Sequence, residues 1–388
     1  MPPERRELVA LAVALVLAMS TWFSTAAVLG QLRSAWALTN TQASWLTIVV
    51  QIGFVVGAVV SSSTNLADRI PPLRLILIGA SGAAVANASI VALDAFEGAV
   101  VARFMTGAFL ALVYPPALKS ISGWFIKGRG VALGVMIAAL TIGSALPHLI
   151  NALGGLAWQA TLLAASALTI TGGLIADRRC LPGPHTAPSA PFDPQQIGRI
   201  VRGRDFRLAS AGYFGHMWEL YAMWAWIAAF YGDVFSSSRV ASLAAFAAIG
   251  SGAAGSMYAG LMSDRRSRPR AAGLAMKWSA ALALTTGFVV DAPWPVPVAA
   301  GLVWGFWVVA DSAQFSAIVT ESCDPRYAGT ALTMQLAAGF VLTVFTIFLV
   351  PVIRDAAGWG WAFALLVPGP VVGAWAMHRL ERAPTAAR

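Results

Sequence analysis

The sequence predicts an all-α membrane protein of twelve transmembrane helices, built from a duplicated six-helix unit, with both ends on one side. Three observations carry this expectation. Hydrophobic residues make up 58% of the 388 positions and charged residues 11%, whereas a soluble globular chain carries roughly 25% charge. Apolar stretches long enough to cross ~30 Å of hydrocarbon recur along the whole chain. The remaining charges cluster on one side of those stretches. Mean hydropathy is +0.71, which excludes a disordered chain as well. At ~20 residues per crossing, twelve helices use roughly 240 residues and leave no room for a large soluble domain.

The elements follow in order. Met1-Pro2-Pro3-Glu4-Arg5-Arg6 precedes an apolar run of about 22 residues, longer than the apolar region of a cleaved signal, so 8–30 reads as a first retained helix. Further spans read at 43–64, 74–93, 98–118, 130–152 and 157–176, then at 208–230, 240–262, 272–290, 295–316, 329–352 and 359–378. The ten-residue alternation of a membrane barrel is absent. Small residues recur, as in Gly79-Ala80-Ser81-Gly82 and Gly250-Ser251-Gly252-Ala253-Ala254-Gly255, and let helix backbones approach closely where lipid supplies no hydrophobic drive. Residues 177–207 carry Pro182, Pro184, Pro188, Pro191 and Pro194, then Arg199, Arg202, Arg204 and Arg207. This Pro-rich, basic stretch reads as a linker between an N-terminal bundle (1–176) and a C-terminal bundle (208–388).

Charge sets the expected orientation. Of the 26 Lys and Arg, only Arg33, Arg239 and Arg354 fall in loops opposite the N-terminus, and Arg103 falls within the fourth span. The positive-inside rule then makes the terminal side cytoplasmic. The net charge of +9 reflects topology facing lipid headgroups rather than a nucleic-acid surface. Cys180 and Cys323 lie in separate short loops and form neither a disulfide framework nor a metal motif.

The halves echo each other. Leu66-Ala67-Asp68-Arg69 follows span two, and Gly260-Leu261-Met262-Ser263-Asp264-Arg265 follows span eight, with the Asp-Arg pairs 196 residues apart. Gly130-Val131-Ala132-Leu133 opens span five and Gly329-Thr330-Ala331-Leu332 opens span eleven, an offset of 199. Near-equal offsets indicate duplication.

With these features the chain resembles the major facilitator superfamily over essentially its whole length. The Gly-x-x-x-Asp-Arg loop motif is intact from Gly260. In the first copy Thr64 and Pro71 replace its two glycines. Arg103-x-x-x-Gly107 looks like the family's second motif, and span five carries Pro147-His148 where an antiporter motif would have Gly-Pro. The resemblance implies two six-helix bundles around a central cavity lined by spans one, four, seven and ten. It also implies a conformational latch at Asp68, Arg69, Asp264 and Arg265, formed when the cytoplasmic side closes. An Asp at a helix end gains from the dipole of a following helix N-terminus. Glu321 with Arg326 would join that latch.

Ionisable groups at membrane depth are costly and need a partner or a role. The family's second motif implies that Arg103 faces the cavity and holds an anion. In span seven, His216 and Glu219 share a helix face near mid-membrane and form a candidate proton-handling pair, with Tyr221 beside them. In span ten, Trp304, Trp307, Asp311 and Gln314 recur at three, four and three residues. That spacing makes one face, read as a cavity wall, with Asp311 a further proton carrier. Trp22 is a weaker substrate contact. Ser24, Gln51, Tyr114, His148 and Gln335 read as interhelical hydrogen bonds, worth roughly 0.6 kcal/mol each. There is no nucleotide-binding loop, nucleophile elbow or His/Cys metal cluster, so no cofactor or metal is expected.

The expected function is secondary active transport of a small solute by alternating access. The coupling ion would be the proton, the protein a monomer and the location a bacterial inner membrane. Arg103 and His216 favour a small organic or inorganic anion. Aromatic residues with acids favour efflux of lipophilic cations instead. A non-transporting solute sensor and a membrane enzyme are the readings from other classes.

Overall fold

A computed structural model describes residues 2–64, 66–93, 95–125, 128–154, 157–185, 194–323 and 327–382. The described residues are all helix, turn and loop, without a strand. The helices group into twelve rods, six on each side of the linker. Rod α1 runs as Pro3–Ala18, Ser24–Ala27 and Leu29–Trp36; α2 is Asn40–Ser63; α3 is Pro72–Leu93. Rod α4 is Phe96–Leu110 continued by Tyr114–Ser122; α5 is Arg129–Gly154; α6 is Trp158–Arg179. After the short helix Pro194–Arg202 come α7, Arg204–Val234; α8, Ser238–Arg265; and α9, Arg268–Thr286. Rod α10 is Pro295–Ala310 continued by Ser312–Ser322. The last helical run, from Ala328, changes direction at Gly358 (φ 82°), which separates α11 from α12; α12 ends with Pro368–Glu381. Eight helical stretches among the described residues are long and apolar enough to cross a membrane by length and composition, and one of them, Thr330–Glu381, contains both α11 and α12.

Local sequence explains several boundaries. Ala37, at φ 49°, ends α1 in the left-handed conformation. Two residues on, Thr39 and Gln42 form a reciprocal capping box: the Gln42 N–H donates to Thr39 Oγ1 (3.2 Å) and the Thr39 N–H to Gln42 Oε1 (2.9 Å). Two orphan donors at the start of α2 are thereby satisfied. The expected spans land on the twelve rods. Five breaks inside them were not expected: Met19–Phe23 and Val28 in α1, residues 111–113 in α4, Asp311 in α10 and residues 365–367 in α12.

The duplication is visible in packing. Rods α2 and α4 cross where a Cβ on Gly53 would stand 2.0 Å from the Phe104 carbonyl oxygen and one on Gly107 2.0 Å from that of Val50. Rods α8 and α10 cross in the same way at Gly252 and Gly305, the latter 1.7 Å from the Ala248 oxygen. Gly53 and Gly252 are 199 positions apart and Gly107 and Gly305 are 198, close to the offsets of 196 and 199 that mark the sequence repeat. Any side chain larger than hydrogen would push these helices apart, so glycine sets the interhelical distance.

The starts of α1 and α7, the end of α12 and the described start of the linker lie at one face, here called the inner face. Glu7, near the start of α1, accepts from the Leu181 N–H (2.8 Å), and Arg204 at the start of α7 donates to the Arg379 carbonyl (3.1 Å) near the end of α12. The linker start docks under the N-terminal half, with Trp124 donating to the Leu181 carbonyl and the His185 N–H to that of Gly123. On the opposite, outer face the halves are tied together. Arg239 of α8 donates to the Ala152 and Leu153 carbonyls (2.6 and 3.1 Å), where a cation meets the negative end of α5. Asn151 bonds Ser242 (2.9 Å), and Asn40 of α2 bonds Asp355 of α11.

Two outcomes are expected. Gly305→Ala forces a methyl into backbone and should destabilise the protein by about 1–3 kcal/mol. Gly250→Ala, with open space around it, should stabilise by about 0.5–1 kcal/mol. Thermal unfolding of the purified variants, with shifts of opposite sign, checks both. Burial, with the charge of Glu7 adding to it, pushes the Cys180 thiol from near 9 up to about 11. Since the thiolate is the reactive form, Cys180 should react at pH 8 on the order of 100-fold more slowly in the folded protein than after denaturation. Its rate should climb as pH rises towards 11, and stopped-flow thiol titration reads this directly.

Candidate functional site

A cavity of about 520 Å³ lies between the halves. It reaches the inner face at Ser62, Lys119, Arg268 and Glu321, and its deep end is walled by Leu140, Leu220, Tyr221, Trp224 and Phe340. Its walls come chiefly from α2, α4, α5, α7, α10 and α11. The expected lining by α1 is not what the structure shows, since no described residue of α1 lines the cavity. Breaks in α1 draw that rod into the seal above it.

The seal is aromatic and spans both halves. Trp22 and Phe54 of the N-terminal half meet Tyr221 and Phe340 of the C-terminal half. Ring centroids are 4.8 Å apart for Trp22–Phe54 and Phe54–Phe340, 5.0 Å for Tyr221–Phe340 and 5.6 Å for Trp22–Phe340. Phe23 packs edge-on against Trp224 at 5.7 Å. Such pairs hold each other beyond simple area burial, and here they separate the cavity from the outer face. The seams below differ. α5 and α8 stay together to their inner ends, with Ser256 Oγ donating to the Gly134 carbonyl (3.1 Å). The inner ends of α2 and α11 both face the cavity through Ser61, Ser62, Thr330 and Leu336.

His216 is the deepest basic group on the cavity wall. Its Nδ1 lies 2.7 Å from Asp311 Oδ1, and its Nε2 lies 3.1 Å from the Ser312 hydroxyl. Asp311 sits buried at the break of α10, beside His216 and Ser312, which line the cavity. Glu219, one turn along α7, points instead into the C-terminal bundle. Its Oε1 accepts from the Ser279 hydroxyl of α9 and the Trp304 N–H of α10, both at 2.6 Å. Among the described residues it has no ion-pair partner. Tyr221 lines the cavity; Trp304 and Gln314 are fully buried outside it. Trp307 stacks on Trp278 at 6.1 Å, away from the cavity. The expected single wall of span ten is therefore divided. Asp311 interrupts the helix, Trp304 faces Glu219, and Trp307 faces outward.

Arg103 is fully buried and does not line the cavity. Its guanidinium closes the break in α1, donating to the Thr21 carbonyl (2.8 Å), the Trp22 carbonyl, the Leu46 carbonyl (3.2 Å), Ser24 Oγ (3.3 Å) and Asn87 Oδ1 (3.2 Å). Carbonyls freed by the unwound turn need donors where water is absent, and one side chain supplies them. Asn87 is the hub that sequence reasoning missed. It also donates to the Leu162 carbonyl and to Ser166 (3.1 and 3.0 Å). A lone Asn inside an apolar span was the available signal. Of the weaker candidates, Ser24 bonds Asn87, Gln335 bonds Ser210, and Tyr114 lines the cavity. Gln51 and His148 make no hydrogen bond, contrary to expectation.

At the inner face, a Cβ on Gly130 would stand 2.5 Å from Asp264 Oδ1, so this carboxylate lies at the start of α5 in the other half. This approach is present in a structure whose cavity reaches the inner face. Arg69 and Arg265 are exposed. The Asp68 side chain and Arg326 lie outside the described residues. Glu321 pairs with Arg268 through three contacts of 2.7–3.0 Å.

Replacing Arg103 by Met should orphan several buried acceptors at about 1–3 kcal/mol each. A fall in thermal stability larger than that for Arg265→Met, measured side by side in detergent, is the expected result.

The family model of the Major Facilitator Superfamily matches residues 9–251. A stretch of 156 residues is 31% identical to the multidrug efflux pump LfrA of Mycolicibacterium smegmatis (strain ATCC 700084 / mc(2)155). That match covers 39% of this chain and 31% of the relative, so it spans about a third of the relative's length. Among solved structures, a D-xylose-proton symporter superposes with a TM-score of 0.78 at 13% identity, covering 97% of each chain. The human organic anion transporter MFSD10 (TETRAN) superposes at 0.67 with 16% identity, covering 97% of this chain and 100% of that one. At such identities the structural likeness is one of fold, while the family match covers more than half of the sequence. The chain belongs to the Major Facilitator Superfamily of multi-pass membrane transporters.

Proposed function

We propose that the protein is a proton-coupled secondary transporter of a small amphipathic organic anion, working by alternating access as a monomer in a bacterial inner membrane. All twelve rods would cross the bilayer, with the inner face cytoplasmic. One observation carries the anion reading. The one carboxylate among the described lining residues, Glu321, is held by Arg268, and the imidazoles of His185 and His216 face the space. The charge balance of the lining therefore favours a negative guest, and the aromatic deep end suits a ring or an alkyl chain. Arg103 contributes to this only indirectly, by shaping α1. A second reading, efflux of lipophilic cations, draws on the relative named as a multidrug efflux pump and on Asp311 behind His216.

Proton coupling would run through two sites. Asp311 exchanges protons with the cavity by way of His216 and Ser312. Glu219 holds two neutral donors and no cation, so a proton on its second oxygen leaves both hydrogen bonds in place. Opening or closing the α7, α9 and α10 contacts would change its environment and release that proton. The Asp264 carboxylate, at the positive end of α5, would bias the conformational equilibrium by pinning one seam.

A thermal-shift screen of organic anions and lipophilic cations against purified protein tests the substrate class, because a ligand of the native state raises stability. Stabilisation by cations alone would overturn the anion reading. With the transported solute in proteoliposomes, Glu219→Gln should abolish accumulation driven by a pH gradient and preserve solute counterflow. Undiminished accumulation would remove Glu219 from the mechanism. His216→Leu, which leaves Asp311 buried beside an apolar group, should destabilise by about 3–5 kcal/mol. Adding Asp311→Leu should return part of that loss, a coupling that a double-mutant cycle measures.

A further inference from the structure

Polar side chains continue the cavity-lining faces of two helices beyond the aromatic seal. On α5 the wall is made by Ile137 and Thr141. Further outward at helical spacing of three and four residues lie Ser144 and His148. On α2 the wall passes from Ser62 and Ala58 to the seal residue Phe54, and three residues beyond it lies Gln51. Ser144, His148 and Gln51 are fully buried. The Ser144 hydroxyl, both ring nitrogens of His148 and both amide atoms of Gln51 have no hydrogen-bond partner. Thr25 Oγ1 is equally unpaired, on the turn Ser24–Ala27 that packs against α2, α5 and α7. So are the indole N–H groups of the seal residues Trp22 and Trp224.

Burying such groups without partners is unfavourable, and deeper in the same half the chain avoids it. Arg103, Asn87 and Ser24 are all paired. Thr161, Thr286 and Gln314 are unpaired elsewhere in the two bundles, while the unpaired groups named above belong to several helices that reach the aromatic seal. A conformation in which the outer seam opens would give them partners, and the cost they carry here is a bias towards that conformation.

We propose that Gln51, Ser144 and His148, with Thr25 and the two indole N–H groups, form a second solute subsite. It is closed in this conformation and exposed to the outer face when the aromatic seal parts. Two of its groups can only donate, the others donate or accept, and no carboxylate is among them. The fitting guest is an oxygen-rich organic solute, presenting hydroxyl, carbonyl or carboxylate oxygens. This inference rests on the alternating-access reading above and names the outer station of that same path.

The test uses the full chain with Cys180→Ser and Cys323→Ser, in right-side-out and inside-out vesicles, with a membrane-impermeant methanethiosulfonate cation as probe. Thr141→Cys should label from the inner face. Ser144→Cys and Gln51→Cys should label from the outer face, at least threefold faster when Arg239→Ala loosens the outer tie. The same Arg239→Ala change should slow inner labelling of Thr141→Cys. Should it slow Thr141→Cys while Ser144→Cys and Gln51→Cys stay unlabelled from outside, the subsite is wrong and alternating access stands. Inner labelling of Thr141→Cys that ignores Arg239→Ala overturns the access reading and the subsite with it. Outer labelling of Ser144→Cys should then slow at least threefold in benzoate or sorbitol. Slowing by tetraphenylphosphonium alone, or by none of the three, would overturn the assigned chemistry.

Discussion

Polar groups have no water to turn to within a bilayer, and the architecture follows from where this chain finds partners for them. The break in α1 shows the constraint at its clearest. Unwinding Met19–Phe23 frees carbonyls that an unbroken helix would satisfy internally. Arg103 reaches from α4 to bond two of them, with Asn87 and Ser24 completing the network. Because the turn is held in this way, Trp22 and Phe23 project into the seam between the halves and close the deep end of the cavity. With no ion-pair partner among the described residues, this cation acts on the path through the backbone.

The C-terminal half meets the same constraint with different chemistry. Its broken rod, α10, places Asp311 at the interruption, and the charge is met by His216 from α7. Glu219 is satisfied by Ser279 and Trp304. Among the described residues the buried carboxylates of the spans, Glu219 and Asp311, therefore lie in one half, while the other half carries Arg103 wrapped in carbonyls and the imidazole of His148. Both halves keep the same helix crossing, α2 on α4 and α8 on α10, at glycines separated by the repeat offset. Duplication preserved the backbone distances and let the polar chemistry diverge. Such a division suits a rocking mechanism, since one bundle can stay rigid while contacts in the other respond to protonation.

Seam asymmetry gives the cavity its shape. Gly130, Gly134, Ser256 and Gly260 allow α5 and α8 to touch along their length. The inner ends of α2 and α11 carry serine and threonine facing the cavity instead. Small residues set how near two backbones come, and hydroxyls tolerate both water and protein.

Much was legible from the amino-acid order: the all-helical class, the places of the apolar helices among the described residues and the repeat of glycine spacing between the halves. Each depends on hydrophobic length, on charge placement or on repeat spacing, and these are properties of the chain itself. His216 and Asp311 could be marked as buried and costly from position alone. Their pairing could not, because it joins α7 to α10 across 95 residues. The wall read into Trp304, Trp307 and Gln314 assumed a continuous helix, and the break at Asp311 turned those side chains in different directions. Arg103 was legible as a buried cation, but its partners are carbonyls exposed only once α1 unwinds. Helical periodicity fixes which residues share a face. Which neighbour that face meets, and whether the helix persists, is decided when all twelve rods compete for the same interior.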